Sequence, residues 1–137
     1  MILRFLFAFY GGMKSVSSGF YFNWGMTYAR WGQPMKALFY LNRAAKLNNK
    51  GSHIFYQRAL LLIAMGQPQS AIYDFDVAIE ANPEYMEAYL NRSMMLALTG
   101  NQEKAQDDVE KAVALGADRP SLESRIAEIR DQAESGT

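Results

Sequence analysis

Few side chains in this sequence could do covalent chemistry, and their spacing argues against it. Among 137 residues there is no cysteine and one histidine, His53. A disulfide framework, a thiolate nucleophile, a thiolate metal site and a multi-histidine metal site are therefore excluded. Asp74 with Asp76 and Asp107 with Asp108 are carboxylate pairs on predicted second helices. Neighbours one or two apart on a helix point to different sides, so both pairs read as a solvated face rather than an acid/base site. No Gly-rich phosphate loop, Ser-His-Asp set or nucleotide motif occurs. The expectation is a protein without catalysis, cofactor or metal.

The elements that carry these residues follow from a fixed period. Gly32, Gly66 and Gly100 lie 34 residues apart, and so do Ala37, Ala71 and Ala105, then Ala44, Ala78 and Ala112. Leu41, Phe75 and Val109 form a fourth column and Tyr28, Leu62 and Leu96 a fifth. Such recurrence marks a repeat architecture. The units are 18–51, 52–85 and 86–119, after an apolar segment 1–17 and before a terminal segment 120–137. Within each unit, apolar residues at three- and four-residue spacing predict two helices broken at a glycine, with Pro34 or Pro68 opening the second. The predicted helices are 19–31, 34–47, 52–65, 68–81, 86–99 and 102–115. From Arg119 to about Ala133, Leu122, Ile126 and Ile129 share one face among charged residues, which predicts an amphipathic helix closing the last apolar surface.

The pattern Phe55, Ala59, Leu62, Gly66, Ala71, Phe75, Ala78 and Pro83 resembles the tetratricopeptide repeat family. Tyr89, Ser93, Leu96, Gly100, Ala105, Val109 and Ala112 repeat it, as do Tyr21, Gly25, Tyr28, Gly32, Ala37, Leu41 and Ala44. Ala117 and Asn49 stand where the third and first units would carry the proline. The resemblance implies an all-α, right-handed superhelical stack of three helical hairpins with a C-terminal capping helix. It also implies an inner groove, lined by the first helices, that receives a peptide or helix of a protein partner. Carried over by position, the groove comprises Phe22, Asn23, Met26 and Arg30, then His53 at the rim with Tyr56, Gln57 and Leu60, then Glu87, Leu90, Asn91 and Met94. The amides of Asn23, Gln57 and Asn91 form one column that could pair with an extended backbone or bond the neighbouring repeat. The methionines read as an adaptable surface or as core filler. Some relatives grip acidic chaperone tails with Lys, Asn and Arg, a set replaced here by Phe22, Met26, Gln57, Glu87 and Asn91. An apolar partner segment is expected instead.

Charge is distributed unevenly. Lys and Arg total 14 against 14 Asp and Glu, yet the seven basic residues Arg4, Lys14, Arg30, Lys36, Arg43, Lys46 and Lys50 face no acidic residue within 1–51. That part is +7 and the rest is −7, a polarity that points to two different contacts. Twelve of the eighteen aromatic residues also fall within 1–51. Nucleic acid is not expected as a partner, because those aromatics sit mainly on repeat-core columns and in the apolar tip.

That tip, Met1 to Tyr10, is almost wholly apolar and ends at Gly11-Gly12. Ten helical residues reach about 15 Å, too short for a hydrocarbon core of roughly 30 Å. Leaving Ile2, Leu3, Phe5, Leu6, Phe7 and Phe9 in water would forfeit on the order of 10 kcal/mol, so something covers them. The expectation is docking at a membrane or membrane protein complex on the cytoplasmic side, helped by Lys36, Arg43 and Lys50 seven residues apart. The alternative is that the segment folds back and caps its own chain.

Overall fold

The structure is a computed structural model and describes residues 18–136. All regular secondary structure among these residues is helical: α1 (18–30), α2 (Pro34–Leu47), α3 (Ser52–Ala64), α4 (Pro68–Ala81), α5 (Met86–Leu98), α6 (Gln102–Ala114) and α7 (Arg119–Ser135). Each of these lies within two residues of its predicted bounds.

The helix ends follow from backbone chemistry. Gly32, Gly66, Gly100 and Gly116 all have positive φ, from +68° to +115°, a region that costs a side chain roughly 1–2 kcal/mol. The chain there reverses through the hydrogen bonds that close a helix: the Gln33 N–H donates to the Tyr28 carbonyl at 2.9 Å, Gln67 to Leu62 at 2.9 Å and Asn101 to Leu96 at 2.8 Å. Pro34 and Pro68 then open α2 and α4 where their missing N–H has no helical partner to lose. α6 lacks the proline and starts instead under the Asn101 side chain, which accepts from the Lys104 N–H. Asp118 caps α7 by accepting from the Ser121 N–H at 3.1 Å, and Ser121, through its side chain first and its backbone N–H second, holds the carboxyl below its ordinary value.

Packing is set by the small columns. Ala37, Ala71, Ala105, Ala44, Ala78 and Ala112 are all buried, so paired helices approach closely. Leu41, Phe75 and Val109 fill the space between. Gly25 is the extreme case, since a Cβ there would stand 2.8 Å from Leu41 Cγ. At the far end α7 packs chiefly on α5, and Leu122 and Ile126 join the cluster that holds Tyr89, Met94 and Val109.

Two expectations are corrected. Asp74 and Asp108 are not solvated: they are 1% and 4% exposed. Each is gripped by an arginine sixteen residues upstream on the preceding helix, a relation that neighbour spacing within one helix does not reveal. The aromatics of the first unit are not mainly core residues either. Phe20, Trp24, Trp31 and Phe39 are all exposed; Phe20 lacks the preceding helix that buries Ile54 and Ala88 one and two periods on, whereas Phe39 shares its outward column with the exposed Tyr73 and Asp107.

Candidate partner-binding surface

The first helices α1, α3 and α5 carry the expected groove. Phe22, Met26, Tyr56, Gln57, Leu60, Leu90 and Asn91 are half-buried there, while Asn23 and Arg30 are exposed. Half-burial is what a ligand surface needs, since such side chains are held in place yet still present apolar area. The Phe22 ring meets the His53 imidazole edge-on with centroids 5.0 Å apart. Tyr56 stacks on Tyr85 at 4.7 Å, and its hydroxyl oxygen accepts from Asn91 Nδ2 at 3.1 Å.

The second donor hydrogen of that amide goes to the Glu87 carbonyl at 2.8 Å. Asn91 thus ties α5 to α3, which is the structural alternative for its column. Partial burial, and then the Glu87 carboxylate, raise the Tyr56 hydroxyl above its ordinary value. Tyr85 is raised by burial, then by Tyr56 and Glu87. Tyr56 is therefore a neutral phenol at physiological pH, able to donate its own proton to a partner carbonyl. Met94 is a correction: it is 6% exposed and lies in the core with Leu122 and Ile126, because α7 covers that part of α5.

The docking set divides. Ile2, Leu3, Phe5, Leu6, Phe7 and Phe9 lie outside the described residues. Lys36, Arg43 and Lys50 are exposed, but Lys36 Nζ lies over the Tyr28 ring at 5.3 Å and the Arg43 guanidinium over Phe39 at 5.0 Å and Tyr21 at 5.7 Å. Cations above ring faces are attracted by the ring quadrupole.

The features that sequence reasoning missed are the ion pairs between the first and second helices of a repeat. Arg58 donates from Nε and Nη2 to the two oxygens of Asp74, both at 2.7 Å, and from Nη1 to Asn42 at 3.1 Å. Arg92 repeats this with Asp108 at 2.7 Å twice and with Asp76 at 2.8 Å. The facing carboxylates hold the Arg92 guanidinium well above its ordinary value. Each arginine joins three successive helices, and none of the buried side-chain polar atoms among the described residues lacks a partner. The signal was present, since 58 and 92, 74 and 108, and 42 and 76 all obey the 34-residue period. Four hollows of about 330–440 Å³ open beside these and neighbouring residues. None of these four hollows is lined by an expected groove residue.

The tetratricopeptide repeat family model matches residues 18–50 and 87–117, and the hairpin stack with its glycine reversals and alanine columns accounts for the stretch between. The chain carries tetratricopeptide repeats (TPRs) over these matched stretches. Comparison with curated protein sequences finds no match. Among solved TPR structures, the stack is similar to the first TPR of Spaghetti (RPAP3) bound to the HSP90 peptide SRMEEVD, with TM-score 0.76 and 19% identity over 88% of this chain and 95% of that one. The Arabidopsis OM64 TPR domain gives TM-score 0.76 and 20% identity over 87% and 98%. The TPR2B domain of yeast Sti1, in complex with a pHsp70 peptide, gives 0.71 and 17% over 89% and 99%. At these identities the likeness is one of fold.

Proposed function

We propose that this TPR-bearing chain is an interaction scaffold whose groove holds an apolar segment of a protein partner. The observation that carries the reading is the half-buried row of Phe22, Met26, Tyr56, Leu60 and Leu90 on successive first helices. Anchors of this kind, with a few polar groups beside them, supply area and orientation together. Similar TPR domains solved with HSP90 and Hsp70 peptides support a peptide ligand in general. The chemistry of this groove differs from an acid-binding one, because Glu87 would repel a carboxylate-rich tail and Arg30 is the one cation among the groove positions.

Membrane docking is not added to the proposal. Of the three cations expected to meet lipid, Lys36 and Arg43 are drawn onto rings of the first repeat itself. The groove is tested by affinity capture with the wild-type chain and with Tyr56→Ala/Leu60→Ala, each checked for helix content. The double variant should lose the captured partner while staying folded, and the wild type should not bind a SRMEEVD peptide. Unchanged capture by the folded double variant would move the binding surface elsewhere, and tight binding of the acidic peptide would overturn the apolar preference.

A further inference from the structure

Cations in this stack come to rest on aromatic rings. Among the described residues Lys36 lies over Tyr28, Arg43 over Tyr21 and Phe39, Arg58 over Phe55 and Arg92 over Tyr89. The arginines of the two later repeats also meet carboxylates. The groove holds the same parts without the cation. Tyr56 and Tyr85 stack with centroids 4.7 Å apart, and no Lys or Arg among the described residues lies over either ring. Glu87, in the first turn of α5 that Tyr85 opens, is exposed and makes no ion pair among the described residues. Burial first, and the Glu87 charge in part, raise both phenol hydroxyls, so the carboxylate acts on this ring pair.

Asn91 completes a set of acceptors. Its amide hydrogens go to the Tyr56 hydroxyl at 3.1 Å and to the Glu87 carbonyl at 2.8 Å. A carbonyl can only accept, which fixes the amide's orientation and leaves Oδ1 as an acceptor with no donor among the described residues. That oxygen is open to solvent, since every enclosed side-chain polar atom there has a partner. Leu60 and Leu90 are half-buried on the same core cluster as the two tyrosines. A purely apolar segment laid along them would strip water from Glu87 and give nothing in return, a costly exchange for a charge. Arg30 does not relieve it, because it stands in the last turn of α1 and pairs with no carboxylate among the described residues.

We infer that the groove takes a partner segment carrying a lysine or arginine, whose cation rests on the Tyr56–Tyr85 pair beside Glu87 and Asn91 Oδ1 while its apolar neighbours meet Leu60 and Leu90. This rests on the groove being the partner surface and adds one point of charge to it. Lysine and arginine are donors only, which matches the carboxylate and the amide oxygen, and ring faces attract a cation.

The test selects a random peptide library displayed on phage against the full chain, with Glu87→Gln, Glu87→Lys and Tyr56→Ala/Leu60→Ala in parallel and helix content checked for each. The wild type should enrich apolar peptides that share a Lys or Arg. Glu87→Gln keeps the side-chain length and the carbonyl that Asn91 uses; it should lose the basic preference and weaken the best wild-type peptide about tenfold. Replacing that peptide's basic residue with glutamine should cost the same factor, with no further loss when both are changed. Glu87→Lys should enrich peptides bearing Asp or Glu, a reversal that a carboxylate serving only the helix N-terminus would not produce. Peptides that depend on Tyr56 and Leu60 but carry no basic residue, or that bind Glu87→Gln as tightly as the wild type, would overturn this inference and leave the groove reading standing. Peptides indifferent to Tyr56→Ala/Leu60→Ala, or no enrichment at all, would overturn the groove reading and this inference with it.

Discussion

The first repeat and the two that follow solve one packing problem with opposite chemistry. Where the later repeats place Arg58 on Asp74 and Arg92 on Asp108, each through two bonds of 2.7 Å, the first places Trp24 beside Tyr40 with ring centroids 6.4 Å apart. Tyr40 in turn stacks on Tyr28 at 5.3 Å. The difference tracks the neighbour. A preceding helix that offers Asn42 or Asp76 completes the hydrogen bonding of an arginine, and a buried ion pair is tolerable only when its remaining donors are satisfied. The first repeat has no described helix before it, and its aromatic set needs no partner for a charge. One fold position thus accepts either solution, and which one it carries reports what lies on the next surface.

The largest expected effect breaks the charged solution. Arg92→Met would leave Asp108 buried without its partner, a loss of about 3–5 kcal/mol by denaturant unfolding. Arg58→Met should act similarly through Asp74. Arg58→Trp combined with Asp74→Tyr, which copies the first repeat into the second, should recover most of that loss, since apolar replacement of a buried pair is often nearly neutral. If the double variant is no better than the single one, the two solutions are not interchangeable.

A smaller effect is expected from the close approach in the aromatic repeat. Gly25→Ala places a Cβ 2.8 Å from Leu41 Cγ and should cost about 1–3 kcal/mol through overpacking. The same column accommodates Ala59 and Ser93 fully buried, so Ser93→Ala should shift the unfolding midpoint by much less. Comparable losses at both sites would remove the distinction between the repeats at this column.

The smallest effect lies at the acidic end. Arg119 donates to both oxygens of Glu110, at 2.8 and 2.7 Å, and these bonds, with one from Gln106, lower the Glu110 carboxyl to about 2. Its folded value is depressed, so its contribution is complete above the ordinary carboxylate range and fades as pH falls towards about 2. Glu110→Gln should flatten the acid limb of a stability-against-pH curve slightly, whereas Tyr40→Phe in the first repeat should leave its shape unchanged. Identical acid limbs for Glu110→Gln and the wild type would remove this contribution.

Much of the architecture was legible because it depends on local backbone rules and on recurrence. The glycines that reverse the chain need positive φ, the prolines fit only a first turn, and the alanine columns mark close helix contacts. The ion pairs were equally periodic but were obscured by judging Asp74 and Asp108 against their immediate neighbours. Their partners stand sixteen residues upstream on another helix, where only the fold of the hairpin brings them within reach.

By itself the sequence determined the period, the helix bounds, the capping face of Leu122 and Ile126 and the polarity of charge along the chain, all of which are properties of spacing. The tertiary structure decided which apolar and charged side chains are inside. Ile54 is buried and Phe20 is not, Met94 is core and Met26 is half-exposed, and Asp74 is enclosed while Asp76 remains in solvent. Burial in a stack is set by the neighbouring helix rather than by the residue's own helix, and spacing alone does not say which helix that neighbour will be.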